Sequence, residues 1–247
     1  MKLDIEYTDD ADSQSVKCLL VGFPGSGKTY SAVNLPGKTL IISAEAGTRS
    51  LADHHLAYIN INVEKVKNSD GTVTYKPLAA RERIAKLGMV LKSLRESKEF
   101  DNVYIDSITE ISEQVLECVQ IEFPDRKDSF PMWGEYGKRM RSIIKQFRDL
   151  QGYNVFITCL AEYDQDENKR RFISCDVMGK IGKQLPQFFD EVLYTYVNAE
   201  NEYRYFTKKT ETGVAKDRSG KLDADMPADL GVVMLKINEK KQKKEKK

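Results

Sequence analysis

A three-layer α/β core on a mixed, mostly parallel sheet, with antiparallel hairpins toward the C-terminal end, is the fold class this sequence predicts. Three observations predict it. Short apolar runs without alternation recur along the chain, as strands buried on both faces require. Segments with helical spacing fall between them, so strand and helix alternate. After Leu160 the pattern changes to hairpins closed by polar turns.

The elements follow in order. Lys17 to Val21 reads as the first strand, followed by a Gly-rich loop and a short helix, Tyr30 to Leu35, stopped by Leu35-Pro36-Gly37. Thr39 to Ser43 (TLIIS) reads as a buried parallel strand. Ile59 to Val66 alternates, turns at Asn68-Ser69-Asp70-Gly71 and resumes at Thr72 to Tyr75, a hairpin signal. Leu78 to Leu94 carries Ile84, Leu87, Leu91 and Leu94 at helical spacing. Asn102 to Asp106 (NVYID) is a short buried strand ending in an acid. Helices are expected at Ile108 to Ile121 and from Trp133 to Leu150, with a Pro-marked loop, Phe123 to Pro131, between them. Val155 to Leu160 (VFITCL) is another buried strand.

Leu160 to Val177 then reads as a hairpin with the polar tip Asp164-Gln165-Asp166-Glu167-Asn168, and Gly179 to Gln187 as a Gly/Lys loop. Glu191 to Val197 and Glu202 to Thr207 form a second hairpin. Tyr194, Tyr196, Tyr203 and Tyr205 alternate on it, and strand packing explains them better than a base-stacking platform. A last helix follows Pro227, with Leu230, Val233, Met234 and Ile237 on one face. The expected domains are a polar segment over 1–15, one α/β domain over 16–235 and a basic, disordered tail over 236–247.

Composition narrows the class. A chain of 247 residues, 40% hydrophobic and 31% charged, can bury one sizeable core. No apolar run reaches the roughly 18 residues of a membrane span. The polar, acidic start MKLDIEYTDDADSQS is unlike a secretory leader, so a cytoplasmic location is expected. Cys18, Cys118, Cys159 and Cys175 form no C-x-x-C pair and read as buried small hydrophobes. With only His54 and His55 besides, a structural zinc site is not expected. The tail from Lys236 to Lys247 holds seven lysines against Glu239 and Glu245, which leaves the rest of the chain net acidic. Nucleic-acid binding would therefore rest on local loops or on the tail.

The chemistry starts at Gly22-Phe23-Pro24-Gly25-Ser26-Gly27-Lys28-Thr29, which satisfies the phosphate-binding pattern G-x-x-x-x-G-K-[ST] between a strand and a helix. Glycines let the backbone turn its N–H groups onto phosphate oxygens, and the helix adds its positive end. Lys28 brings a point charge to the β- and γ-phosphates, and Thr29 offers a hydroxyl to Mg²⁺. These residues and Tyr30 just beyond them are the expected contacts to ATP. Asp106, ending a buried strand, is the expected second anchor for Mg²⁺, with helix capping as the alternative. Glu45, just past the TLIIS strand at the ligand-binding end of a parallel sheet, is the candidate to handle water.

A phosphate loop, a strand running into Ala44-Glu45 and a strand ending in Asp106-Ser107 together resemble the RecA/RadA recombinase class of ATPases, over roughly Val16 to Leu235. Within that class, Trp133-x-x-Tyr136, Leu185-Pro186-x-x-Phe189-Asp190-Glu191-Val192 and Lys216-Asp217-Arg218-Ser219-Gly220 look like the phage single-strand annealing ATPases of the fourth Sak class. The resemblance implies a RecA-like P-loop fold and a glutamate base on the strand after the phosphate-loop helix. It implies a DNA-stimulated ATPase that promotes annealing or recombination as a ring or filament. Partners would be single-stranded DNA, other copies of the chain and a single-strand binding protein.

The same resemblance makes Lys216 and Arg218 catalytic cations reaching the nucleotide of a neighbouring subunit; an exposed basic turn is the alternative. By position, the DNA-contacting loops would be Asp164 to Arg171 and Met178 to Gln187, with Lys169, Arg170, Arg171, Lys180 and Lys183 as phosphate partners. Solvated hairpin ends are the alternative there, and Asp164, Asp166 and Glu167 would repel DNA. A nucleotide-dependent switch acting on a protein partner is the rival function. A small-molecule kinase is disfavoured because no lid-like basic insertion stands out.

Overall fold

A computed structural model describes residues 15–45, 47–124, 129–210 and 212–239. The acidic run at 9–12 and most of the tail, 240–247, lie outside the described residues. One sheet organises the chain, in the order β12-β10-β9-β1-β7-β6-β2-β3. Its parallel part comprises β1 (Lys17–Gly22), β2 (Thr39–Ser43), β3 (Ala57–Asn60), β6 (Asn102–Asp106), β7 (Asn154–Gln165) and β9 (Glu191–Val197). The strands β10 (Tyr203–Phe206) and β12 (Asp225–Pro227) extend it antiparallel past β9. Two short strands sit off this path: β8 (Arg171–Cys175) on β7 and β11 (Lys216–Asp217) on β9.

Because β1, β2 and β6 are buried along their whole length, their sequences need apolar side chains on both faces, and they have them. One face packs against α1 (Ala80–Glu96), α2 (Ile108–Glu122) and α3 (Phe130–Arg148), through residues such as Leu87, Ile111, Val115, Met140 and Ile144. The other face carries Leu20, Ile41, Tyr104 and Phe156 against a thinner layer, which includes α5 (Leu230–Asn238). Three of the four tyrosines of the β9–β10 hairpin serve strand packing, while Tyr203 is exposed. Tyr205 is fully buried, and Tyr194 and Tyr196 stack with centroids 6.2 Å apart. All four cysteines are buried and free. No helix among the described residues is long and apolar enough to cross a membrane.

Three expectations need correction. The helix after the phosphate loop is a six-residue 3₁₀ turn, Thr29–Asn34. Leu35-Pro36-Gly37 pulls the chain into an extended course before a second α-turn can form, and such short runs settle as 3₁₀. Segment 179–187 is not a loop. It forms α4 (Lys180–Gln184) and a 3₁₀ turn, Leu185–Phe188, because Ile181 and Leu185 are buried. A Cβ on Gly182 would lie 2.5 Å from the Cys175 carbonyl and 2.7 Å from that of Val177, so the close approach this glycine permits is to its own chain. The run from Ile59 also divides. β3 joins the main sheet, while β4 (Val63–Lys67) and β5 (Val73–Pro77) form a separate hairpin. The division falls at Ile61, which is buried and donates its N–H to the Ser43 carbonyl at 3.0 Å.

Candidate nucleotide site

The phosphate loop leaves β1 at Gly22, where β1 is in register with Leu160 of β7 and Thr195 of β9. A side chain cannot fit at Gly22, since a Cβ would sit 2.0 Å from Thr195 Oγ1. Gly25 and Gly27 take φ of 78° and 86°, the left-handed region that bends the loop back on itself. Ser26 Oγ and Thr195 Oγ1 share a hydrogen bond of 2.6 Å that ties the loop to β9. Lys28 Nζ donates to the carbonyls of Gly22 (2.7 Å) and Phe23 (2.9 Å), spanning the loop from within. Burial lowers the Lys28 pKa, and the carboxylates of Glu45 and Asp106 oppose that shift. Beneath the loop, Tyr104 Oη donates to the Lys28 carbonyl at 2.5 Å. Tyr205 Oη donates to Ser31 Oγ at 2.6 Å, and Ser31 Oγ in turn donates to the Gly27 carbonyl at 3.0 Å.

The acids arrive from neighbouring strands. Asp106, only 3% exposed, accepts from Thr29 Oγ1 at 2.7 Å through Oδ2 and from Thr158 Oγ1 at 2.5 Å through Oδ1. The helix-cap alternative falls to its neighbour: Ser107 Oγ accepts from the Glu110 N–H at the start of α2. Ser107 Oγ also donates to Glu45 Oε1. The backbone N–H groups of Ala44 and Glu45 donate to the Asp106 carbonyl at 2.7 and 3.2 Å, which locks the two acid-bearing strand ends together. Lys28, Thr29, Glu45 and Asp106 are thus gathered at one end of the parallel sheet. A hydroxyl beside a carboxylate is a hard-oxygen pair suited to Mg²⁺, which takes one or two protein oxygens and keeps its waters.

One comparison decides the family. The AAA domain family matches residues 14–219. The chain belongs to it. No curated protein matches the sequence. Among solved structures, a prototypical ATPase from the type III secretion system of pathogenic bacteria is 14% identical, with a TM-score of 0.46. The alignment covers 75% of this chain and 53% of that one, so the chain spans about half the length of that protein. The AAA domain described here is a P-loop ATPase domain that binds ATP.

Other expected site residues of this AAA domain lie elsewhere. Lys216 and Arg218 flank the start of β9, where Asp217 pairs with Glu191 and Glu191 with Cys18. Gly22 lies four residue steps along β1 from Cys18, so these cations stand about 13 Å along the sheet from their own phosphate loop. Lys216 Nζ donates to the Phe189 carbonyl at 2.5 Å, and Arg218 pairs with Asp190 at 2.6 Å. Asp217 holds the turn, accepting from Ser219 Oγ at 2.7 Å and from the Gly220 N–H at 2.8 Å.

The side chains of Lys169, Arg170, Arg171, Lys180 and Lys183 are exposed around the β7–β8 hairpin and α4. Lys183 pairs with Asp164 at 2.9 Å and lies 5.7 Å from the Phe172 ring centroid. Asp166 Oδ1 accepts from the N–H groups of Asn168 and Arg170, both at 2.8 Å, and so closes the tip on itself. Midway along the hairpin, Tyr163 packs on Phe23 of the phosphate loop, with centroids 4.8 Å apart. Trp133 and Tyr136 meet edge to face at 5.7 Å, and Tyr136 Oη shares a 2.7 Å hydrogen bond with Ser112 Oγ, so this pair serves α3 packing.

Sequence reading missed Thr158, Tyr104, Thr195 and Tyr205. The available signal was polar atoms inside otherwise apolar strands: Thr158 in VFITCL and Tyr104 in NVYID. It also missed Glu191, a buried carboxyl at the start of β9. Its Oε1 accepts from the Ser219 N–H at 2.9 Å, and its Oε2 has no partner among the described residues. Burial pushes its pKa up to about 7, with Asp217 adding to the shift. With the folded pKa above the ordinary 4.5, this group's contribution is full below that value and is lost as pH rises through about 7. Thermal melts should therefore show the wild type losing Tm over this window, and Glu191→Gln should flatten that loss. Parallel profiles for the two proteins would contradict it.

Proposed function

We propose that this chain is a RecA-like ATPase that binds single-stranded DNA, couples ATP hydrolysis to annealing or recombination, and works as a homo-oligomer. Lys28 and the loop N–H groups hold the phosphates, and Thr29 with Asp106 would hold Mg²⁺. Held there, Mg²⁺ would supply charge neutralisation at the β- and γ-phosphates. Glu45, held by Ser107, orients and deprotonates the attacking water. Lys216 and Arg218 lie too far from their own loop to act on it, which fits action on a neighbouring copy's γ-phosphate. A single-strand binding protein is a further partner.

The observation that carries this reading is the Phe23–Tyr163 contact. It joins the phosphate loop to the middle of the β7–β8 hairpin, whose end bears Lys169, Arg170 and Arg171 beside Lys180 and Lys183 of α4. A change at the loop is therefore felt by a cation-bearing hairpin at the same sheet edge.

The test is ATP turnover with increasing single-stranded DNA at low salt. Turnover should rise, the rise should shrink with added salt, and Lys183→Ala should blunt it. Turnover indifferent to DNA would favour a nucleotide-dependent switch acting on a protein partner. The Asp164–Lys183 ion pair at an acidic hairpin tip is the observation on that side.

A further inference from the structure

We propose that Tyr203 is the base platform of the nucleotide site, its ring stacking on the nucleobase of the bound triphosphate. The inference rests on the phosphate loop being an ATP site and adds where the nucleoside lies. The sheet order gives the direction. Asp106 and Glu45 reach the loop from β6 and β2, on one side of β1. A loop lysine and a Mg²⁺ anchor serve the β- and γ-phosphates, so the γ end of the triphosphate points toward those acids. The α-phosphate and the nucleoside must then leave on the other side of β1, toward β9 and β10.

Tyr203 stands there. It opens β10 opposite Val197, at the sheet edge from which the loop emerges. Its ring rests on the phosphate loop itself: a Cβ on Gly27 would lie 2.8 Å from Tyr203 Cδ1. Tyr203 is nonetheless 53% exposed, so one ring face remains open. The other aromatic side chains of the loop region are engaged. Phe23 packs on Tyr163, and Tyr30 meets His54 edge-on at 5.5 Å. Among the described residues, no ring packs on Tyr203.

Its position is also fixed. Tyr205, two residues on and on the same face of β10, is buried and hydrogen-bonded through Ser31 Oγ to the Gly27 carbonyl. The Tyr203 carbonyl accepts from the Ala228 N–H at 3.0 Å. An aromatic ring held at a set height beside a phosphate cradle, with one face free, is what a planar base needs. Stacking of this kind is tolerant of base identity, since every base presents a π-face.

The experiment compares affinities for ATP and for inorganic tripolyphosphate, each with Mg²⁺, by calorimetry. It uses the wild-type chain, Tyr203→Ala and Tyr203→Phe, with thermal melts confirming that each is folded. Tyr203→Ala should weaken ATP about ten-fold. It should leave tripolyphosphate within about two-fold, and Tyr203→Phe should keep wild-type affinity for both. Equal weakening of both ligands in Tyr203→Ala would overturn the inference, because Tyr203 would then only shape the loop. Unchanged ATP affinity would overturn it as well. A folded wild type that binds neither ligand would instead strike the ATP site itself, and this inference with it.

Discussion

Glu45→Gln should cut ATP turnover by about 100-fold or more, the usual scale of a lost general base, while leaving ATP affinity within about two-fold. Shape and hydrogen bonding survive the change. The amide oxygen still accepts from Ser107 Oγ, and the Glu45 backbone N–H still donates to the Asp106 carbonyl at 3.2 Å. Only the proton acceptor is removed. Steady-state turnover beside nucleotide affinity checks it. A variant that loses binding and turnover equally would mean that Glu45 holds the nucleotide without touching the attacking water. A variant with wild-type turnover would move the base elsewhere.

Gly22→Ala should damage both fold and site. The added methyl group would meet Thr195 Oγ1 at 2.0 Å, Ser26 Oγ at 2.5 Å and the Thr195 carbonyl at 2.6 Å. The last is backbone, in a strand hydrogen-bonded on both sides, so relief requires β1 and β9 to separate. Overpacking of this kind costs about 1–3 kcal/mol and occasionally more. The loop would also lose its tie to β9 through Ser26, and nucleotide binding should fall with it. Denaturant unfolding and nucleotide titration measure the two effects. Adding Thr195→Ala should restore only part of the stability, because the carbonyl clash remains. Wild-type stability in the single variant would show that β9 yields more easily than its pairing suggests. By contrast, an alanine at Gly25 meets no atom within 4 Å and faces only the cost of its positive φ.

Much of the fold was legible because burial on two faces leaves a plain mark. Thr39–Ser43 and Asn102–Asp106 were delimited to the residue by their apolar content alone. The phosphate loop was legible because its chemistry demands fixed residue types at fixed spacing. What stayed hidden depends on neighbours distant in sequence. Thr158 matters because β7 lies beside β6, and Thr195 because β9 lies beside β1; neither adjacency is encoded locally. Gly182 fell in a stretch read as a Gly/Lys loop and is instead a close contact of α4 with the end of β8 and the chain just after it. Lys216 and Arg218 were recognisable as a cationic pair. Their distance from their own phosphate loop follows only from the register of β11 on β9.

That register bears on how this chain can change over evolutionary time. β9 meets the phosphate loop through Thr195, the cationic turn through Val192 and Glu191, and β10 through Tyr194 to Val197. Inserting or deleting one residue anywhere in β9 would turn every side chain beyond it to the opposite face. Thr195 would leave Gly22 while the neighbouring strands lost their partners. Length variation should therefore be purged from β9 and tolerated in the β4–β5 hairpin, which lies outside the main sheet and is mostly exposed.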